Sequence, residues 1–275
     1  MTTPTGKEAL DLLRRIECSS EYGAQTIFHF TGHAFSRRAG EPDQRLFALE
    51  GMLIRQASDL HDEERGAGFH RLGREMMLIR DPDTGQVLDE WDNPWTGERV
   101  DVVQVANDHV NGRYFERLPN GQPLAPDISR HGPFWQMPLV LPIYRANPLG
   151  AGYEPEMGGM YHAVELFTFS GLAAQLDDPE VASVDVAVTW SRMSDWFPWM
   201  RMNGREGMIY VHTTGSKLSG FEALPADLID IIDTRFPAFR SPPPVGDDKP
   251  MDTSWTEYRV IRETGHRWFE EGENT

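Results

Sequence analysis

The sequence predicts a mainly β protein: an antiparallel meander that closes into a β-barrel, with a few α-helices flanking it. Three observations carry that expectation. Between Arg80 and Asp108, the segments Asp81-Pro82-Asp83-Thr84-Gly85 and Asn93-Pro94-Trp95-Thr96-Gly97 separate strand-like stretches. Proline pre-sets φ, Asp and Asn side chains bond the local backbone, and Gly accepts positive φ, so both read as turns with a mechanism. Alternation of period two recurs elsewhere, from Thr26 to Phe35 and from Val184 to Trp190. The length of 275 residues exceeds a minimal sandwich and suits one large β domain with a sizeable core. Twisted meanders tend to close on themselves, and a closed sheet of this size can enclose a small-molecule cavity.

Taken in order, residues 1–20 hold a helix over Lys7 to Cys18, where Leu10, Leu13 and Ile16 fall at helical spacing opposite charged positions. We expect it to pack outside the barrel. From Thr26, Ile27, His29, Thr31, His33 and Phe35 share one face of a strand, and Phe28, Phe30 and Ala34 the other. Strands over Leu46 to Ser58 and Leu72 to Arg80 follow, joined by the charged loop Asp59 to Gly68, and the meander adds Gln86 to Trp91 and Arg99 to Ala106. Asn111 to Gly132, rich in Gly, Pro and Asn, reads as a lid or side flap. Strands resume at Phe134 to Tyr144 and Met160 to Phe169, and Pro138 and Pro142 mark the first of these as an edge or bulged strand. Val184 to Trp190 and Met208 to Thr213 complete the sheet. Pro225 opens a helix whose stripe of Leu228, Ile231, Ile232 and Phe236 should cover one side or end of the barrel. After Pro242-Pro243-Pro244, Ser254-Trp255-Thr256-Glu257 forms a capping box for a helix through Arg262. Residues 225–275 are thus helical additions to a single domain spanning 1–275.

Charge and composition narrow the function. With 26 Lys+Arg against 43 Asp+Glu, the net charge is −17, and without a basic stripe the chain should repel phosphate backbones and anionic membranes. We expect no nucleic-acid and no membrane partner. The single cysteine, Cys18, rules out an internal disulfide framework, and the N-terminus lacks a basic region followed by an apolar run. A reduced, cytoplasmic protein is the expectation. No glycine-rich nucleotide loop and no Gly-x-Ser-x-Gly elbow occurs, so no cofactor is expected.

Several residues could carry chemistry. Trp190 to Met202 packs Trp190, Trp196, Trp199 and three methionines beside Arg192 and Arg201: flat, polarizable surface for an aromatic ligand, with an arginine fork for its anion. The competing reading is a core plug closing one end of the barrel. One face of Met160 to Phe169 collects Tyr161, Glu165, Phe167 and Phe169, and one face of Met208 to Thr213 collects Met208, Tyr210 and His212, followed by Lys217. Buried polar groups among aromatics suit a cavity for a polar-tipped ligand; the alternative sets them in solvent over apolar opposite faces. His29 and His33 share a strand face, but no third ligand lies nearby in sequence, so we expect two hydrogen-bonded histidines and no metal. His109 reads as a solvated loop residue.

Glu50-Gly51-Met52, Arg74-Glu75, Asp81 to Gly85, Trp91 to Glu98 and Trp196-Phe197-Pro198-Trp199-Met200 resemble motifs of a bacterial family catalogued only as a domain of unknown function. The similarity runs over roughly residues 27–243. The resemblance implies a calycin-like barrel and a setting in bacteria that degrade aromatic compounds; relatives usually carry Pro where this chain has His109.

Together these readings lead us to expect a cofactor-independent lyase that cleaves a carbon–carbon bond of a small, lignin-derived or similar aromatic acid, losing formaldehyde or CO2. In that scheme Arg192, or Arg145 beside Tyr144, holds the anion, His212 or Tyr161 removes a hydroxyl proton, and Lys217 or Tyr210 protonates the leaving oxygen. Trp196, Trp199, Glu165, His29 and His33 complete the expected pocket. The alternatives are a carrier that binds a hydrophobic small molecule unchanged, and a partner-binding module, such as a homodimer, mating through Trp196 to Met202.

Overall fold

The computed structural model describes residues 4–247, Lys249 and residues 253–265; the rest of the expected C-terminal helical segment, 266–275, lies outside the described residues. Helix α1 (Lys7–Glu17) precedes strands β1 (Thr26–Arg37), β2 (Gln44–Asp62) and β3 (Gly66–Arg80). The short strands β4 (Glu90–Asp92), β5 (Arg99–Asp101), β6 (Val105–Asp108), β7 (Gly112–Phe115) and β8 (Ser129–His131) follow. The chain then runs through β9 (Phe134–Ala146), α2 (Glu154–Met157), β10 (Met160–Leu172), α3 (Ala173–Asp177), β11 (Ala187–Ser194), β12 (Met208–Leu218), α4 (Ala226–Arg235) and α5 (Ser254–Thr264).

Antiparallel ladders arrange the main sheet in the order β6-β3-β2-β1-β12-β11-β10-β9-β8, with β7 also on β3; β4 and β5 form a separate hairpin. The mainly β, antiparallel expectation holds, but the ladder does not close: among the described residues no pairing joins β6 or β7 to β8 or β9. The sheet is instead open and curled, because residues of β3 and β6 at one end and of β9 and β10 at the other line a single cavity. Pro138 and Pro142 sit on the part of β9 that β8 does not cover, where their missing amides remove ladder donors and suit a free edge.

Both turns form by the expected chemistry. Asp81 Oδ1 accepts bonds from the Asp83 and Thr84 amides, and Asn93 Oδ1 accepts them from the Trp95 and Thr96 amides. Gly85 and Gly97 take φ of 74° and 72°. The meander between them is shorter than predicted, and Val87 makes only an isolated bridge to Arg80. The charged loop expected over Asp59 to Gly68 is mostly strand: β2 and β3 run on to a tight turn in which Asp62 Oδ1 accepts from the amides of Glu64 and Arg65. The flap expected over Asn111 to Gly132 contains β7 and β8, which extend the two ends of the sheet.

Three apolar clusters hold the fold. Leu10, Leu13 and Ile16 of α1 pack on Phe28, Phe69, Trp135, Met137 and Phe169, which belong to the concave face, so α1 plugs one end of the curl rather than lying outside it. Leu228 and Ile232 of α4, with Leu224 and Phe239, cover Ile27, Met52, Ile54, Met76 and Leu78 on the convex face of β1, β2 and β3. The third cluster closes the other end with Trp196, Phe197, Trp199, Met200 and Met202. The capping box at Ser254 is replaced by a tertiary contact: Thr253 is the N-cap without a side-chain bond, and the Ser254 amide donates to Asn107 Oδ1. Among the described residues no helix is long and apolar enough to cross a membrane.

Candidate functional site

Between the α1 plug and the tryptophan plug lies a cavity of about 320 Å³, lined mostly by apolar side chains. That volume falls at the small end of the range for small-molecule sites, roughly 300–1,000 Å³. Alternation along each strand decides what reaches it. Phe30, Leu53, Leu139, Leu141, Phe167, Val188 and Trp190 form the apolar wall. Trp255 and Tyr258 of α5 lie over the lining, with the Trp255 ring centroid 5.2 Å from that of Tyr161.

One polar group of this cavity centres on β10 and β11. Glu165 and Arg192 are cross-strand partners, and Arg192 Nη1 donates to Glu165 Oε1 at 2.5 Å. Tyr161 stands two periods of the alternation away, 1% exposed, with the guanidinium carbons of Arg145 and Arg192 5.9 and 5.8 Å from its ring centroid. Glu75 of β3 also faces the cavity, and Asn107 Nδ2 donates to its Oε2 at 3.3 Å. Burial first, and then the Glu75 carboxylate, push Glu165 up to about 7 from an ordinary 4.5, while burial brings Arg192 down to about 10. Burial therefore penalises both charges of this pair. Three buried donor atoms here, Tyr161 Oη, Trp190 Nε1 and Arg192 Nε, have no protein partner.

A second polar group sits at the α1 end. Glu17 is buried against Arg71, which donates to its Oε2; Tyr114 Oη donates to Glu17 Oε1 at 3.0 Å, and Arg55 Nη1 lies 3.5 Å from Oε2. The two guanidiniums outweigh the burial cost and keep the Glu17 carboxyl below its ordinary value.

The structure brings together Tyr161, Glu165, Arg192, Arg145 and Trp199 of the residues predicted from sequence, all on the lining. Others it places elsewhere. Tyr210 and His212 lie on the convex face: Tyr210 packs on Phe35, and His212 Nδ1 meets Ser191 Oγ at 2.8 Å, so neither can reach a substrate inside the curl. His33 sits directly across from His212 on that outer face, and His29 Nε2 meets Glu50 Oε1 at 3.0 Å. Among the described residues no three metal-ligating side chains converge. Tyr144 is 71% exposed on the outer side of β9. Lys217 points inward but is committed to the α1 terminus, where Nζ donates to the Arg15 and Cys18 carbonyls at 2.9 and 3.1 Å. Burial brings it down to about 7. Trp196 and Trp199 are core, which removes them as an exposed mating patch. His109 is likewise buried rather than solvated, at φ 67°, with Nε2 3.2 Å from Asp247.

Sequence reasoning missed Glu17, Arg55, Arg71, Glu75 and Asn107. A signal existed: Arg71 and Glu75 share a strand face with Phe69, Met77 and Ile79, and charges on an otherwise apolar face ask for an explanation.

Two of the motifs that carried the resemblance, Trp91 to Glu98 and Trp196 to Met200, meet in space. Asn93 Nδ2 donates to the Met200 carbonyl at 2.7 Å, the Trp95 and Trp196 rings lie 5.4 Å apart, and those of Trp91 and Trp199 6.0 Å apart. They build the plug under the cavity. A comparison with curated proteins gives no match. Residues 23–262 match the family described as "Protein of unknown function (DUF1838)", and the chain belongs to that family.

Proposed function

We propose that this protein is a cofactor-independent lyase acting on a small aromatic acid, lignin-derived or similar, held in the calycin-like cup of the curled sheet. One observation carries the reading: Glu165, raised to about 7, stands beside two cavity-lining arginines and the unpartnered Tyr161 hydroxyl, inside an aromatic wall. A carboxylate that titrates near neutrality is suited to take and return a proton at working pH. Glu165 accordingly replaces His212 as the base.

Arg145 and Arg192 hold the substrate's carboxylate or phenolate. Glu165 accepts the proton of a primary hydroxyl; the adjacent carbon–carbon bond breaks to release formaldehyde, and its electron pair forms a carbon–carbon double bond. A benzylic ether oxygen leaves with the displaced pair, and Tyr161 supplies its proton. In a decarboxylating variant CO2 leaves instead, and the same double bond forms. Tyr210 and Lys217 take no part in this scheme. Incubation with a panel of lignin-derived aromatic acids, followed by mass spectrometry, tests it: a product lighter by formaldehyde or CO2 is expected, and no turnover across the panel overturns it.

The predominance of apolar side chains on the wall favours a second reading, a carrier that retains a hydrophobic small molecule unchanged. Stoichiometric retention of an unaltered ligand in the same incubation selects it.

A further inference from the structure

The polar group at the α1 end has features that anchoring the helix does not use. Arg55 is 8% exposed and lines the cavity, and its Nη1, 3.5 Å from Glu17 Oε2, is ion-paired there but buried without a hydrogen bond. Arg71 and Glu17 line the same space. Two guanidiniums share one carboxylate there, since Glu17 is the acid that meets both. A buried donor left unpaired costs about 1–3 kcal/mol, and more when charged, so Arg55 gains from any acceptor that reaches it. The site's chemistry is specific: it offers donors and an excess of positive charge, held in place from behind by Tyr114, which bonds both Glu17 and Arg71.

This group is separate from the Glu165 centre. Arg55 stacks over Phe28, 5.3 Å from its centroid, in the cluster that α1 closes, whereas Arg192 stacks over Tyr161 in the cluster at the tryptophan end. Phe30, Leu53, Phe167 and Trp190 lie on the wall of the same cavity.

We propose that Arg55 and Arg71, backed by Glu17, form a second oxyanion-binding subsite, so that the cavity selects an elongated aromatic ligand with an anionic or acceptor oxygen at each end. The inference rests on the aromatic-acid reading of the Arg192 end and adds the far end to it. It explains why a chain of net charge −17 keeps four arginines on the lining of one small cavity.

Titration calorimetry with two synthetic probes tests it: 4-(benzyloxy)benzoate, with one carboxylate, and 4-[(4-carboxyphenyl)methoxy]benzoate, the same two rings with a second carboxylate. Wild-type protein should bind the diacid at least about tenfold more tightly, as befits one charge-assisted contact. Arg55→Gln should abolish that gain while moving monoacid affinity by less than about twofold, and Arg55→Lys should retain part of it. Binding of the monoacid with no gain for the diacid overturns the second subsite alone, as does a gain that survives Arg55→Gln. Failure of both probes overturns it together with the anchoring role of Arg192. The wild-type comparison decides the question even if the variants do not fold.

Discussion

The concave face of β10 and the convex face of β12 are built from the same kinds of residue and behave oppositely. Tyr161 and Glu165 on β10 stand inside the curl, one 1% exposed and the other raised to about 7 by burial and Glu75. Tyr210 and His212 on β12 stand outside it, packed on Phe35 and bonded to Ser191. The difference teaches that the environment of a polar side chain here is set by the side of the sheet it occupies and not by its residue type. A carboxyl behind a wall of Phe, Leu and Trp is pushed up toward neutrality by burial, whereas the His212 imidazole on the outer face bonds Ser191 Oγ.

The sharpest way to break this comparison is to substitute both sides. Glu165→Gln should lower turnover of an aromatic-acid substrate by about a hundred- to ten-thousandfold, while His212→Gln should leave it within about twofold. Steady-state kinetics on the two purified variants checks this; equal losses would move the chemistry back toward the outer face. Because a base must be ionised to act, wild-type kcat/KM should be low in acid, rise as pH passes about 7, and level off above it.

Next in size is the plug that floors the cavity. Trp199 is 4% exposed and packs on Phe47, Trp91 and Phe197, so Trp199→Ala should cost about 3–5 kcal/mol in chemical denaturation. Tyr144→Ala, at a side chain 71% exposed, should stay within about 0.5 kcal/mol.

A smaller effect separates the two faces by stability. Since Glu165 binds its proton more tightly folded than unfolded, the native state carries the extra proton between about 4.5 and 7. Its contribution to stability is therefore present below that window and lost as pH rises through it. Wild type should lose stability relative to Glu165→Gln with a slope of at most about 1.4 kcal/mol per pH unit across this window, whatever the constant offset from leaving Arg192 without its partner. Denaturant melts at several pH values measure the slope, and parallel curves would show that Glu165 titrates normally.

Much of the local structure was legible in the sequence for reasons that are themselves local. The Asp81 and Asn93 turns follow from side chains that bond amides two and three residues on, and the Lys7–Glu17 helix from its apolar spacing. The grouping of Tyr161, Glu165, Phe167 and Phe169 on one strand face follows from alternation alone, as does that of Tyr210 with His212. Alternation has no sign, however: a period of two says which side chains travel together and leaves open which set faces inward. That was decided by pairings between residues far apart in the chain, such as β1 with β12, which sets His33 against His212 on the outside and Ala34 against Val211 within. The same long-range packing put α1 into one end of the curl and the Trp91-to-Glu98 and Trp196-to-Met200 motifs together at the other. It also brought Arg55, Arg71 and Glu17 to one cavity wall, because only the assembled sheet can carry charges from three elements out of water and leave two of their donors, Arg55 Nη1 and Arg71 Nε, without a hydrogen bond.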